Sequence, residues 1–420
     1  MNSAGTVIIG TGQAGFQTAA SLRSNGYQEP LTLVGDEPHI PYQRPPLSKG
    51  FPLGTQSRDS IEFRPASFYA DHRIQLLAGQ PVTAVDRAAR LVSLGDGSRL
   101  SYDKLVLAVG SCNRLLRVPG ANFEGVLYLR SLDEAVAFKE RLSHAQEIVV
   151  VGGGFVGLEL AAVASALGKS VTVIEALPRL MSRVVAPPIS EFFTQLHGSR
   201  EVKILCGASV SEICGANRRV SGVLLGDGAT HPADLVLVGI GVVPNSELAL
   251  RAGLPVHNGV AVNEYLETPD EHIFAIGDCA EHPCAFAGGQ RLRLESVQNA
   301  ADQAQAVAAA IVGRREPYRA LPWFWTDQFD VKLQMAGIST GYDAVVTRGS
   351  AESRKLSVFY FKQGRLSAID SINRPLDHMI GRKLIAAGTS LTPEQAADES
   401  VDLRKLGQQS ATTSGGALRT

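Results

Sequence analysis

The stretch Val7–Phe16 reads VIIGTGQAGF, and Val149–Leu158 echoes it as VVVGGGFVGL. In each, an aliphatic run stops at glycine and a helix-forming segment follows. Apolar runs without polar alternation suit the strands of a parallel sheet, which are buried on both faces. The glycines fall as GxGxxG: Gly10, Gly12 and Gly15 in the first copy, Gly152, Gly154 and Gly157 in the second. At that spacing the first permits the tight turn, the second lets a pyrophosphate approach, and the third lets helix and strand pack closely. An acid about 20 positions on accepts from a ribose hydroxyl in such units, and Asp36 and Glu175 stand there. One motif alone also fits an ordinary glycine turn or a kinase-like loop. Two copies, each with its acid and with no kinase catalytic-loop motif downstream, predict two adenine dinucleotides, one held permanently and one visiting.

Each copy sits in a βαβ pattern: strand Thr6–Ile9, helix Ala14–Asn25 and strand Leu31–Val34, then strand Ile148–Val151, helix Val156–Leu167 and strand Val171–Ile174. Pro81–Asp86, Ala89–Leu94 and Leu100–Val109 read as strands, and a similar series ends in Asp234–Asn245, DLVLVGIGVVPN. The common plan predicts an internal duplication of domains. A helical pattern covers Gln298–Ile311. Beyond Pro322, WFW opens a third, α+β region with strands at Lys332–Ala336, Ala344–Thr347, Leu356–Phe361 and Leu366–Ile369 and helices at Leu376–Ala387 and Pro393–Ala397. The Ser-, Thr- and Gly-rich end, Gln408–Thr420, is expected to be disordered.

At 420 residues the chain is too long for one core. Hydrophobic content of 45% and charge of 19% describe a soluble globular protein. A net charge of −1 supplies no general field toward nucleic acid or acidic lipid. No apolar run reaches the roughly 18 residues of a membrane span, and the first residues lack a signal-peptide pattern, so a cytoplasmic location is expected. The five cysteines are odd in number and scattered without CxxC, which suits a reducing compartment and predicts no metal or cluster site.

Eight segments carry a resemblance: GTGQAG; PYQRPPLSK (Pro41–Lys49); YDKLVLAVGS (Tyr102–Ser111); YLRSLDEA (Tyr128–Ala135); VVGGGFVGLELA (Val150–Ala161); HIFAIGDCA (His272–Ala280); ESVQNAADQA (Glu295–Ala304); and PWFWTDQFDVKLQMAG (Pro322–Gly337). Over about residues 5–405 the chain resembles the FAD- and NAD(P)H-dependent reductases of glutathione-reductase type, and within them the oxygenase-coupled ferredoxin and rubredoxin reductases. The resemblance implies an α/β protein with two Rossmann-like dinucleotide-binding domains and a C-terminal α+β interface domain. Its expected boundaries are a discontinuous FAD domain (1–112 and 243–322), an NAD domain (113–242), an interface domain (323–405) and a tail (406–420).

It further implies hydride transfer from NADH to FAD, then single-electron transfer to a separate [2Fe–2S] ferredoxin serving a cytochrome P450 or ring-hydroxylating dioxygenase. Rubredoxin, nitrite or diffusible-acceptor reduction, or a redox-gated interaction protein of apoptosis-inducing-factor type, are the alternatives. A monomer or weak homodimer is expected. The residues implied for FAD are Gly10, Gly12, Gly15, Asp36, Arg44, Lys49, Val82, Ala108, Gly110, Arg130, Asp278, Ser296, Val297 and Trp325. For NAD they are Gly152, Gly154, Gly157, Glu159, Glu175, Arg183 and Gly241. Lys49 is placed near flavin N5, paired with Glu159, which would orient the nicotinamide amide from the first turn of its helix; the alternative for Glu159 is an exposed glutamate favoured by the helix dipole. Trp325 is placed at the flavin edge, Asp278 on a ribityl hydroxyl, and Val297 at a helix start aimed at the flavin pyrimidine. Arg314, Arg315 and Arg319 are the expected docking cluster for an acidic ferredoxin, against the plainer reading of a solvated helix end. PHIPYQRPPLSKG holds no cysteine, so disulfide and peroxide chemistry are disfavoured. Val109 and Cys112-Asn113 depart from the family's usual threonine and Arg-Pro.

Overall fold

The computed structural model describes residues 4–406, and the chain forms two units: 1–46, 56–112 and 242–322, and 47–55, 113–241 and 323 onward. The tail expected at 406–420 lies, apart from its first residue, outside the described residues.

The first unit is built on a five-stranded parallel sheet in the order Ile273–Ala275, Lys104–Leu107, Thr6–Ile9, Leu31–Val34, Gln75–Leu77. Thr6–Ile9 and Leu31–Val34 are buried throughout, as expected for central strands covered on both faces. The helices Gln13–Ser24 and Val297–Ile311 contribute Phe16, Ala19, Leu22, Ala304 and Val307 to its core. A three-stranded antiparallel sheet, Val82–Asp86, Leu91–Leu94 and Arg99–Ser101, precedes the strand Lys104–Leu107.

The second unit repeats the plan. Its parallel sheet runs Lys203–Cys206, Ser170–Glu175, Glu147–Val151, Leu235–Val238, Val126–Leu127. A three-stranded antiparallel insert, Val210–Ala216, Arg219–Leu225 and Thr230–Pro232, again precedes the strand beside the glycine motif. The chain from Trp323 adds a five-stranded antiparallel sheet in the order Trp323–Gln328, Val331–Gly337, Arg365–Ile372, Lys355–Lys362, Ala344–Ser350, followed by the helices Pro375–Ala387 and Pro393–Ala397. Ile148, Leu160 and Val173 share one apolar cluster with Leu333, Val358 and Ile372. We retain the three-domain division as a proposal. The segment 47–55, drawn with the first domain from sequence, packs in the second unit, where Ser48 and Lys49 contact Glu159.

Candidate functional site

Both glycine motifs make the same turn. Gly10 and Gly152 have φ of +111° and +109°, and a Cβ on either would lie 2.2 Å from the Ala108 carbonyl oxygen or 2.4 Å from that of Gly239. Any side chain is excluded there. A Cβ on Gly15 or Gly157 would strike the carbonyl oxygen of Gly10 or Gly152, at 1.8 and 2.1 Å. At Gly12 and Gly154, by contrast, a Cβ would meet no protein atom within 4 Å. These two glycines are N-caps of Gln13–Ser24 and Phe155–Ala166, and neither helix start has a side-chain cap or an acidic residue in its first turn. Unshared backbone N–H groups, the positive end of the helix dipole and room for a pyrophosphate therefore coincide twice. The residues fit a dinucleotide at each position.

The remaining residues assigned to FAD divide between the units. Asp36 is exposed after its strand. Its neighbour Glu37, unremarked in the sequence, accepts from the Tyr42 hydroxyl and pairs with Arg44 at 2.5 Å. Burial works against the Arg44 cation, but Tyr42 and Glu37 outweigh it and its pKa is raised. The strand Ile273–Ala275 delivers Asp278, which accepts from Ser111 Oγ at 2.9 Å. Ala108 adjoins Gly10, and Asn245 donates to the Val109 and Gly110 carbonyls. Ser296 caps the helix that Val297 opens, accepting from Asn299 N–H at 3.0 Å. Val82 begins the antiparallel insert. Lys49, Arg130 and Trp325 belong to the second unit.

In that unit Glu175 accepts from Gly153 N–H at 2.7 Å and Leu177 N–H at 2.8 Å. Arg183 is exposed and lies near Gly241, 3.9 Å from where a Cβ there would stand. Arg179 is turned inward, donating to the Val185 and Ser182 carbonyls and to Ser190 Oγ at 2.6–2.9 Å.

Glu159 is the most enclosed of the assigned carboxylates, with 4% of its surface exposed. Lys49 Nζ lies 2.8 Å from its Oε2, Ser48 Oγ donates to the same oxygen at 2.5 Å, and Thr326 Oγ1 donates to Oε1 at 2.6 Å. It occupies the second turn rather than the first, because the helix starts at Phe155. An exposed glutamate held by the helix dipole is excluded. Burying one such charge alone would be costly; here the ammonium and two hydroxyls compensate it. Ser48 and Thr326 were not legible in advance, since their role arises only through contacts distant in sequence.

Trp325 lies on the opposite face of its strand from Thr326 and is half-buried, with its ring centroid 5.6 Å from Trp323. Trp323 in turn carries Arg382 at 4.9 Å from its ring centroid and is met by the edge of His378. Among the described residues all five cysteines are free, no group of acidic, His or Cys side chains could hold a metal, and no helix is long and apolar enough to cross a membrane.

Residues 5–304 match the family model described as pyridine nucleotide-disulphide oxidoreductase, and residues 323–407 match that of a reductase C-terminal domain. Rhodocoxin reductase of Rhodococcus erythropolis is 50% identical over 398 residues, covering 95% of this chain and 93% of that protein. A ferredoxin reductase structure from Rhodopseudomonas palustris matches with a TM-score of 0.94 and 47% identity over 96% of this chain and 99% of that one. The reductase in a covalent putidaredoxin reductase–putidaredoxin complex matches with a TM-score of 0.94 and 39% identity, over 98% of this chain and 100% of that one.

Proposed function

The chain belongs to the pyridine nucleotide-disulphide oxidoreductase family, and on that footing we propose that it is an NADH-dependent reductase of a separate [2Fe–2S] ferredoxin that feeds an oxygenase. It is an oxidoreductase that works with FAD and NAD(H). The observation carrying the reading is the duplicated cradle: two uncapped helix starts, each with an open second glycine, in a chain whose PHIPYQRPPLSKG segment offers no cysteine. FAD, when bound, supplies the chemistry of accepting an electron pair from nicotinamide and releasing it singly.

The protein's own contribution is binding and orientation. Gly10, Gly12 and Gly15 cradle the FAD pyrophosphate, Arg44 adds a cation held in place by Glu37, Asp36 and Asp278 accept from sugar hydroxyls, and Val82, Ala108, Gly110, Ser296 and Val297 complete that set. Gly152, Gly154 and Gly157 do the same for NADH, with Glu175 on the adenosine ribose and Arg183 and Gly241 beside it. Each Glu175 oxygen takes one backbone N–H and retains an acceptor position for a ribose hydroxyl. A 2′-phosphate would face the same carboxylate and be repelled. Arg130 joins Arg44 on the pyrophosphate side, Lys49 and Trp325 serve the flavin ring, and Glu159 orients the nicotinamide amide. A cytoplasmic location is part of the proposal, tested by fractionation of the native host.

The test of these roles is anaerobic stopped-flow bleaching of the flavin by NADH. Glu159→Ala and Lys49→Ala are each expected to slow bleaching at least about tenfold, the factor for losing one hydrogen bond to a charged group, with FAD retained. Unchanged rates in both would make the pair purely structural. Fast turnover with rubredoxin and none with [2Fe–2S] ferredoxins would replace the acceptor. A long-lived reduced, NAD-bound protein with little transfer would instead favour the redox-gated interaction reading.

A further inference from the structure

The strand Trp323–Gln328 alternates, and its inward side chains are Phe324, Thr326 and Gln328. Phe324 packs on Phe155, the first residue of the helix bearing Glu159, at 4.9 Å between ring centroids. Thr326 and Gln328 are fully buried, and a hydroxyl and a carboxamide in such a place are costly unless bonded. They form a chain. His197 Nε2 is 2.9 Å from Gln328 Oε1, Gln328 Nε2 is 3.4 Å from Thr326 Oγ1, and Thr326 Oγ1 is 2.6 Å from Glu159 Oε1.

The direction of every proton follows from the last acceptor. An ionised Glu159, the form that pairs with Lys49, can only accept, so the Thr326 hydroxyl donates to it. The Thr326 oxygen then takes the Gln328 N–H, and Gln328 Oε1 takes the proton on His197 Nε2. Burial lowers the His197 pKa, in keeping with the neutral Nε2–H tautomer this requires. Three donors in series therefore point at one oxygen of Glu159.

We propose that Thr326 is a positioning residue for the nicotinamide-orienting Glu159, and that Gln328 and His197 hold its hydroxyl in the donating direction. The inference rests on the reading of Glu159 given above. A carboxylate oxygen has two acceptor positions. Oε2 spends both on Ser48 and Lys49, whereas Oε1 spends one on Thr326. Oε1 is thus the oxygen left to receive the amide of the nicotinamide, and Thr326 fixes where it stands.

The test uses the FAD-loaded protein with Thr326→Val, Thr326→Ser, Glu159→Gln and the Thr326→Val/Glu159→Gln double variant. Two quantities are read: the NAD⁺ dissociation constant by calorimetry, and the limiting rate of flavin bleaching by NADH. Thr326→Val is expected to weaken NAD⁺ binding or slow bleaching about tenfold, the factor for one lost hydrogen bond to a charged group. Thr326→Ser should restore both to within about twofold, since it returns the donor. In the Glu159→Gln background Thr326→Val should add nothing further. If Thr326→Val fails to fold, Gln328→Met removes the donor behind Thr326 and should give a smaller loss with the same dependence on Glu159. Equal effects in both backgrounds, no restoration by serine, or no effect of Thr326→Val overturn the inference while leaving the role of Glu159 intact. A Glu159→Gln variant with unchanged binding and bleaching overturns both.

Discussion

Coenzyme choice turns on single residues. Arg179 and Arg183 both follow Glu175 closely enough in sequence to meet a 2′-phosphate, which would weaken the case for NADH. In three dimensions the Arg179 guanidinium is committed to Val185, Ser182 and Ser190, inside the loop after the ribose acid, whereas Arg183 stays exposed near Gly241, so Glu175 has one arginine to outweigh rather than two. We therefore expect kcat/KM for NADH to exceed that for NADPH, and Arg179→Ala to lower the melting temperature without reversing that preference. A higher value for NADPH in the parent protein would contradict the role given to Glu175. The glycines and ribose acids were legible because their work is encoded by spacing along one short segment. Glu37, Ser48 and Thr326 were not, because each acquires its meaning from a partner elsewhere. Thr326 was further masked by Trp325, whose size draws the reading to the wrong face of the strand.

At the scale of an element, each strand–turn–helix separates what the fold needs from what a ligand needs. Gly10→Ala and Gly157→Ala place a Cβ about 2 Å from a carbonyl oxygen and should fail to give folded protein. Gly12→Ala and Gly154→Ala place it where no protein atom stands. Gly12→Ala should fold but purify with little FAD; Gly154→Ala should keep FAD and lose NAD⁺ affinity, as calorimetry and flavin content would record. Wild-type FAD content in Gly12→Ala would show that the first cradle does not hold the FAD pyrophosphate. Such strands were easy to anticipate, since aliphatic runs and glycine turns mark them. The terminal antiparallel sheet was anticipated only in pieces, and the polar residues in its core not at all. One of these is Asp370, fully enclosed and accepting from the Tyr360 hydroxyl, whose pKa burial pushes up to about 7. A raised carboxyl pKa stabilises the fold below the unfolded value of about 4, and this contribution is lost as pH rises toward 7. Asp370→Asn should therefore flatten the fall in melting temperature across that window. An unchanged slope would show that Asp370 does not titrate there.

For the whole molecule, the repeated motif reflects a repeated plan: parallel sheet, antiparallel insert, and return to the strand beside the glycine turn, once in each unit. That much was legible in the sequence because both copies keep the same order. The acceptor's docking face was not, since net charge is near zero and charge clusters are altered by local pairing. Arg315 is one such case: it donates twice to Glu267, at 2.7 and 2.8 Å, and stacks on Tyr265. Steering of an acidic ferredoxin would then fall to Arg314 and Arg319. Arg314→Glu should lower the second-order rate with ferredoxin and flatten its salt dependence more than Arg315→Glu, with ferricyanide reduction intact. An ionic-strength profile matching the parent would move the docking face elsewhere.

Electron transfer from NADH through FAD to a ferredoxin is tested by an anaerobic single-turnover experiment in which the FAD-loaded protein receives one equivalent of NADH and excess oxidised [2Fe–2S] ferredoxin. Rapid loss of the oxidised flavin band, its return, and two reduced ferredoxins per NADH consumed are expected, because one electron pair leaves as two single electrons. A flavin that bleaches and stays bleached while the ferredoxin remains oxidised would contradict it.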